Sequence, residues 1–164
     1  MIEVSALCGL KKISQKTANR RESKVIYIFE AGSQYHESWI DPLLADNFYE
    51  AKEEMHFTAG TQQEFERWRS TLAQLVHGKE LSLYLAQARA TDVLFPLLAC
   101  QPSETIFGST VCKRLREDLT NSWAVVLNFL ERESFDATSW FVAKYMAWLK
   151  AMQFAEQKGC VELF

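Results

Sequence analysis

The side chains in this sequence best suited to acid–base chemistry are its three histidines, because imidazole changes charge near neutral pH. His36 and His56 flank an acidic segment, whereas His77 stands directly before Gly78 at the end of a predicted helix. A cation at that end of a helix is stabilised by the negative pole of the helix dipole. We therefore predict a structural role for His77 and keep His36 and His56 as candidates for a functional site.

Two short motifs resemble metal-binding patterns, and both are incomplete. The segment that begins at His36 places Ile40 where the metalloprotease motif H-E-x-x-H has its second histidine. Glu53 and His56 form one E-x-x-H element, but di-iron bundles use two, and the nearest second copy begins with Gln74. The sequence also lacks a glycine-rich phosphate loop and a G-x-S-x-G elbow. We predict no catalytic residue, no metal and no cofactor.

Acidic side chains are concentrated in residues 30–66. Nine acids against a single base, Lys52, give this segment a net charge of −8, while the whole chain has a net charge of −3. Like charges one helical turn apart destabilise a helix by about 0.2–0.5 kcal/mol per pair, so a surface that keeps them is a candidate for binding a basic partner. An ordinary solvated surface is the alternative. The predicted partner-binding residues are His36, Glu37, Asp46, Glu50, Glu53 and Glu54.

A small acidic protein without a catalytic motif is typical of immunity proteins and antitoxins, which cover basic sites on toxins such as nucleases. We therefore expect a binding protein, not an enzyme, that neutralises or regulates a basic protein partner. The alternative is an enzyme or small-ligand protein with a histidine and carboxylate site between helices. A third interpretation is an interaction module of a larger assembly.

Length and composition indicate a single globular domain over residues 1–164, because 48% of the residues are hydrophobic and 24% are charged. The four cysteines, Cys8, Cys100, Cys112 and Cys160, form no C-x-x-C motif, so we expect free thiols in a reducing cytosol. The N-terminus lacks a signal-peptide pattern, and no apolar stretch approaches the roughly 18 residues of a membrane span. We expect a soluble cytoplasmic protein that does not associate with membranes.

Two helices carry the strongest local signals. The sequence T-x-x-E from Thr61 to Glu64 is a capping box, the apolar residues that follow have helical spacing, and Gly78 is a left-handed terminator. Residues 139–157 are apolar on most of the helix circumference and rich in aromatic side chains, which predicts a central helix wrapped by others.

Three further helical segments complete the predicted bundle. One begins at Asp41 and Pro42 and runs to about Met55, with its acidic residues on one face. The second is interrupted near Pro96, and the third covers residues 109–132 as one helix or as two.

The N-terminal region differs from the helical remainder. Residues 25–29 are β-branched or aromatic and predict a strand, whose candidate partners are residues 2–7, 55–58 and 160–164. Residues 11–23 are basic and polar, so we predict a solvated loop; nucleic-acid binding is not expected, because no aromatic residue interrupts the charges and the body is acidic. The predicted fold is mainly α: five or six helices around a central aromatic-rich helix, with a small β element from the N-terminal region.

Overall fold

The structure is a computed structural model of the chain, and it describes residues 1–19, 25–28, 39, 47–102 and 105–164. Of these residues, 55% are helical and 24% lie in strands, so the fold is a mixed α/β fold and the predicted mainly-α bundle is wrong. The elements, in chain order, are β1 (Ile2–Cys8), β2 (Lys11–Ile13), α1 (Gln15–Ala18), β3 (Val25–Ile28), β4 (Asn47–Glu50), β5 (Glu53–Gly60), α2 (Gln62–His77), α3 (Leu81–Gln87), α4 (Phe95–Ala99), β6 (Thr105–Gly108), α5 (Ser109–Arg132), α6 (Phe135–Ala155) and β7 (Cys160–Leu163).

The larger sheet has four antiparallel strands in the order β5-β1-β7-β6, so the two ends of the chain pair with each other at its centre. Val4 and Ala6 of β1 alternate with Ser5 and Leu7, as the period of a strand requires. Val4 and Ala6 belong to the main hydrophobic core under the helices, whereas Leu7 belongs to a second, smaller cluster. The sheet therefore has one face covered by helices and one face turned away from them.

The smaller sheet has three antiparallel strands in the order β2-β4-β3. The strand predicted at residues 25–29 is confirmed over Val25–Ile28, but it pairs with β4. Its three predicted partner segments are indeed strands, yet they belong to the larger sheet. The predicted basic loop over residues 11–23 is wrong where the structure describes it, since Lys11–Ile13 is a strand and Gln15–Ala18 is a helical turn capped by Ser14.

The helix predicted from Asp41 to Met55 is wrong over its described part. Residues 47–50 form β4 and residues 53–60 form β5, while residues 41–46 lie outside the described residues. The reason is visible in β5, where Met55 and Phe57 pack against the main core. They alternate with residues on the opposite face, which is the period of a strand.

Helix α2 confirms the predicted capping signals. Thr61 Oγ1 accepts a hydrogen bond from the Glu64 amide, and the Glu64 carboxylate accepts one from the Thr61 amide. Gly78 follows the last helical residue with φ of 65°, a left-handed conformation that glycine adopts without steric penalty.

Helix α6 carries the predicted aromatic core. Phe141, Tyr145, Trp148 and Met152 are fully buried, while Met146 is 46% exposed. The surroundings differ from the prediction, because α6 packs against α5 on one side and against the larger sheet on another. It is thus a helix between a sheet and a helix, and it is not wrapped by helices alone.

The remaining helices decide two predictions: whether residues 109–132 form one helix or two, and whether the chain is interrupted near Pro96. Residues 109–132 form the single helix α5. The interruption predicted near Pro96 is confirmed, since α3 ends at Gln87 and α4 begins at Phe95 after Leu94 adopts a left-handed φ of 61°. Tertiary contacts and not capping explain this start, because the Leu94 amide donates to Asp118 of α5 at 2.8 Å.

Candidate functional site

The predicted partner-binding residues that the structure describes lie in strands and not on a helix. His36, Glu37 and Asp46 lie outside the described residues. Glu50 is partly buried in β4, where its strand register places it opposite Lys11. The other two predicted residues, Glu53 and Glu54, are neighbours at the start of β5, so their side chains alternate across the strand.

The structure gathers a different set of residues on the sheet face turned away from the helices, and we call it the Glu54–Glu162 cluster: Ser5, Glu54, His56 and Glu162. In the strand register, Ser5 of β1 lies directly between His56 of β5 and Glu162 of β7. Glu54 Oε1 accepts a hydrogen bond from Ser5 Oγ at 3.1 Å and lies 3.0 Å from His56 Nε2. The sheet thus brings the first and last strands of the chain together with the predicted acidic segment.

Two glutamates share this cluster, and the charge of one affects the other. Burial raises the pKa of the Glu162 carboxyl, and the charge of Glu54 raises it further. Within the described part of the chain, no lysine or arginine forms a salt bridge with either glutamate. The only ionisable side chain bound to Glu54 in these ranges is His56, whose side chain is 56% exposed.

Serine, histidine and carboxylate side chains also form catalytic triads, but their order here does not support nucleophilic catalysis. In a triad the histidine removes the proton of the serine, and the carboxylate orients the histidine. Here Glu54 lies between the two, so Ser5 donates to a carboxylate and not to His56. Ser5 is also only 3% exposed. These four side chains therefore do not form a serine–histidine nucleophile pair.

Two of the cysteines, Cys100 and Cys160, likewise lack the features of nucleophiles. All four are free thiols, as predicted, and three of them are buried. Burial raises the pKa of Cys100 to about 11, and burial together with Glu162 raises the pKa of Cys160. A thiol with a raised pKa is almost entirely protonated at neutral pH, so it is a weak nucleophile.

A second site, missed at the sequence level, is a cleft at the end of α2, which we call the His77–Tyr84 cleft. The ring of His77 stacks on the ring of Tyr84 with a centroid distance of 4.1 Å, and His77 Nε2 donates to the Val93 carbonyl at 2.9 Å. The cleft has a volume of about 430 Å³. Its walls are His77, Lys79, Tyr84, Gln87, Ala88, Thr91, Asp92 and Val93.

Tyr84 is the most unusual residue of this cleft. Its side chain is 4% exposed, and its hydroxyl has no hydrogen-bond partner among the described residues. Burial, followed by the charge of Asp92, raises the pKa of Tyr84 to about 12, so the hydroxyl stays protonated at neutral pH. The sequence placed His77 correctly in the last turn of a helix but gave no sign of the aromatic partner, because the two residues meet only through the turn after Gly78.

The described ranges contain no group of three or more His, Cys, Asp or Glu side chains that could hold a metal ion. No helix in them is long and apolar enough to cross a membrane. No protein-family model, curated protein or solved structure matches the chain.

Proposed function

We propose that this protein acts by binding a basic protein partner through the Glu54–Glu162 cluster. The observation that carries the proposal is the strand register, which places Glu54 of β5 and Glu162 of β7 on the same sheet face on either side of β1. Burial, and then the nearby charge of Glu54, raises the pKa of Glu162 there. Two carboxylates that share one sheet face, with no lysine or arginine of the described residues bound to either, destabilise each other. A lysine or arginine from a partner would offset that repulsion.

We expect such a cluster to act on the rate at which the two proteins meet and on the orientation in which they bind. Complementary charges accelerate diffusional association and fix the register of the bound partner, whereas their net contribution to affinity depends on how well each charge is paired. A partner with a basic active site, such as a nuclease or another toxin domain, has the matching charge. In this proposal the chain is an immunity protein or antitoxin of the cytoplasm, and no catalytic residue is assigned to it.

The test is a comparison of association rates at low and at high ionic strength. The partner is first isolated by pull-down with the native chain, and its association is then measured by stopped-flow mixing with the parent and with the double variant Glu54→Gln/Glu162→Gln. At low ionic strength the variant should associate at least about tenfold more slowly, and at high ionic strength the difference should shrink, since salt screens the field.

A matched control separates the cluster from net charge. Glu131 and Glu133 are exposed acids at the end of α5, and Glu131→Gln/Glu133→Gln removes the same charge from another surface. The control should associate nearly as fast as the parent. Equal slowing by both double variants would assign the effect to net charge alone, and unchanged association of Glu54→Gln/Glu162→Gln would refute the proposal.

A further inference from the structure

We infer that the free edge of β5 is the docking site for an extended basic segment of the protein partner, which adds to the larger sheet as an antiparallel fifth strand. The inference rests on the proposed function for the source of this segment, the basic partner. It goes beyond that function because it assigns the docking to backbone hydrogen bonds at the side of the strand, whereas the Glu54–Glu162 cluster lies on the face of the sheet.

The backbone groups of alternate β5 residues point away from the sheet. Glu3 of β1 exchanges two backbone hydrogen bonds with Phe164, at 2.8 and 3.1 Å, so its backbone faces the β7 side. Hydrogen-bonding direction alternates along an antiparallel strand, so the next residue, Val4, faces β5, where its register partner is Phe57. The β5 residues that alternate with Phe57 therefore direct their N–H and C=O groups outward, and we call them the β5 edge: Glu54, His56 and Thr58.

No strand of the described ranges pairs with the β5 edge. The strand β5 stands at one end of the larger sheet, and it pairs there with β1 alone. At the opposite end, β6 has only four residues, and Trp39 covers it: the Gly108 amide donates to the Trp39 carbonyl at 2.7 Å, and the Trp39 ring lies 5.6 Å from the Phe107 ring. The β5 edge is thus the longer and more open of the two.

The sequence of β5 also lacks the features that keep edge strands from pairing. Natural edges are protected by short length, by proline or by lysine, and the eight residues of β5 contain neither of these residue types. The register with β1 shifts at Ala59, which leaves Glu53 to Thr58 in regular pairing. A regular segment of this length matches an ordinary strand.

The side chains along β5 select an alternating apolar and basic sequence for the added strand. Met55 and Phe57 pack against the main core but are only partly buried, so apolar side chains of a neighbouring strand can cover them. On the other face, His56 and Thr58 are exposed, and Glu54 is a carboxylate beside them. A lysine or arginine directly opposite Glu54 stabilises such a strand pair.

The charge of the whole sheet favours a basic segment. Its four strands contain four glutamates and no lysine or arginine. Two lysines lie at the ends of β5: Lys52 beside Gly9, and Lys144 at the Ala59 carbonyl. A second copy of the chain would bring its own glutamates to the edge, so a basic partner is the better match.

The probe is the blocked peptide Val-Lys-Val-Lys-Val-Lys-Val, titrated into the isotope-labelled full chain while NMR records the amide signals of the β5 edge. In an antiparallel addition the lysine residues bond to β5 and the valine residues bond outward. Backbone N-methylation of the lysines should therefore abolish the saturable shifts, whereas N-methylation of the same number of valines should leave binding nearly unchanged. Equal binding of the two methylated peptides, or a loss only with methylated valines, would overturn the inference.

His56→Pro and His56→Ala are matched variants of the edge. Both remove the imidazole, but only proline removes the outward N–H, and an edge strand tolerates proline at such a position. The peptide should bind His56→Ala nearly as well as the parent and His56→Pro at least about fivefold more weakly, since a hydrogen bond is lost. Equal binding of the two variants would refute the edge as the site. If circular dichroism shows that His56→Pro does not fold, the methylated peptides decide.

Two controls test the chemistry and the source of the added strand. The peptide Val-Glu-Val-Glu-Val-Glu-Val should not bind, and binding as tight as that of the lysine peptide would overturn the choice of a basic segment. Sedimentation of the parent alone tests a second copy of the chain. A dimer that His56→Pro converts to a monomer would assign the edge to that copy and overturn the inference.

The partner isolated by pull-down separates this inference from the proposed function. Slow association of Glu54→Gln/Glu162→Gln, together with equal affinity of His56→Pro and His56→Ala, would support the proposed function and overturn docking at the β5 edge. Unchanged association of the double variant, together with weaker binding of His56→Pro than of His56→Ala, would refute the proposed function and support the edge.

Discussion

At the scale of single residues, burial rather than sequence position determines the chemistry of the ionisable groups. Cys100, Tyr84 and Glu162 all have raised pKa values, and in each of them desolvation is the largest cause. Burial therefore shifts each of these groups toward its uncharged form. The ordinary pKa values of cysteine and tyrosine lie above neutral pH, whereas that of glutamate lies below it. Of the three groups, only Glu162 is therefore ionised in the unfolded chain at neutral pH, and only its burial opposes folding there.

The first prediction concerns Glu162→Gln. In the parent, the Glu162 carboxyl has a higher pKa in the folded state than in the unfolded state, where it is about 4.5. As the pH rises from about 4.5 through the raised pKa, the unfolded state loses this proton first, so the free energy of unfolding decreases. The glutamine variant cannot ionise at this position, so its free energy of unfolding does not decrease in this way. Its urea midpoint should exceed that of the parent at pH 7 and approach it at pH 4. A variant that is less stable than the parent at pH 7 would contradict the assigned environment.

The sequence identified the acidic segment but not which of its carboxylates act together. Glu54 meets Glu162 because β1 pairs with β5 on one side and with β7 on the other. That pairing joins residues more than a hundred positions apart, and no local pattern encodes it. His77 was correctly placed in a last helical turn, yet its contact with Tyr84 depends on the direction in which the chain leaves Gly78.

At the scale of elements, prediction was accurate where short-range signals agreed. Helix α2 has a capping box, apolar residues at helical spacing and a glycine terminator, and all three act within one turn of the residues they specify. The segment from Asp41 to Met55 had a cap and helical spacing as well. There the pairing of β5 with β1 overrode the local preference, since strand formation depends on neighbours that a single segment does not contain.

The second prediction tests the cap of α2. Thr61→Ala removes the side-chain acceptor of the Glu64 amide and should lower the free energy of unfolding by about 1 kcal/mol. Thr71→Ala is the control, because the Thr71 hydroxyl only bonds back to the Arg67 carbonyl within the helix. Urea denaturation of the two variants measures the difference. Equal losses at both positions would show that the cap has no special contribution.

At the scale of the whole molecule, the core is built where the sheet and the helices share aromatic side chains. Trp148 of α6 contacts Phe57 of β5 and both Phe65 and Trp68 of α2, with centroid distances of 5.1, 5.9 and 6.2 Å. One side chain thus links the larger sheet to two helices. The sequence predicted the burial of these residues from their number and spacing, but it assigned Phe57 to no core element.

The last prediction tests this shared core through Trp148→Ala. The side chain is fully buried among aromatic neighbours, so its removal should leave a cavity and lower the free energy of unfolding by about 3–5 kcal/mol. Met146→Ala is the control, because Met146 lies on the same helix with 46% of its surface exposed and should change stability by about 0.5 kcal/mol or less. Chemical denaturation, followed by circular dichroism so that the lost tryptophan does not affect the signal, gives both values. A loss below about 1 kcal/mol for Trp148→Ala would mean that the sheet and the helices are stabilised separately, because a shared core cannot lose its largest linking side chain at so small a cost.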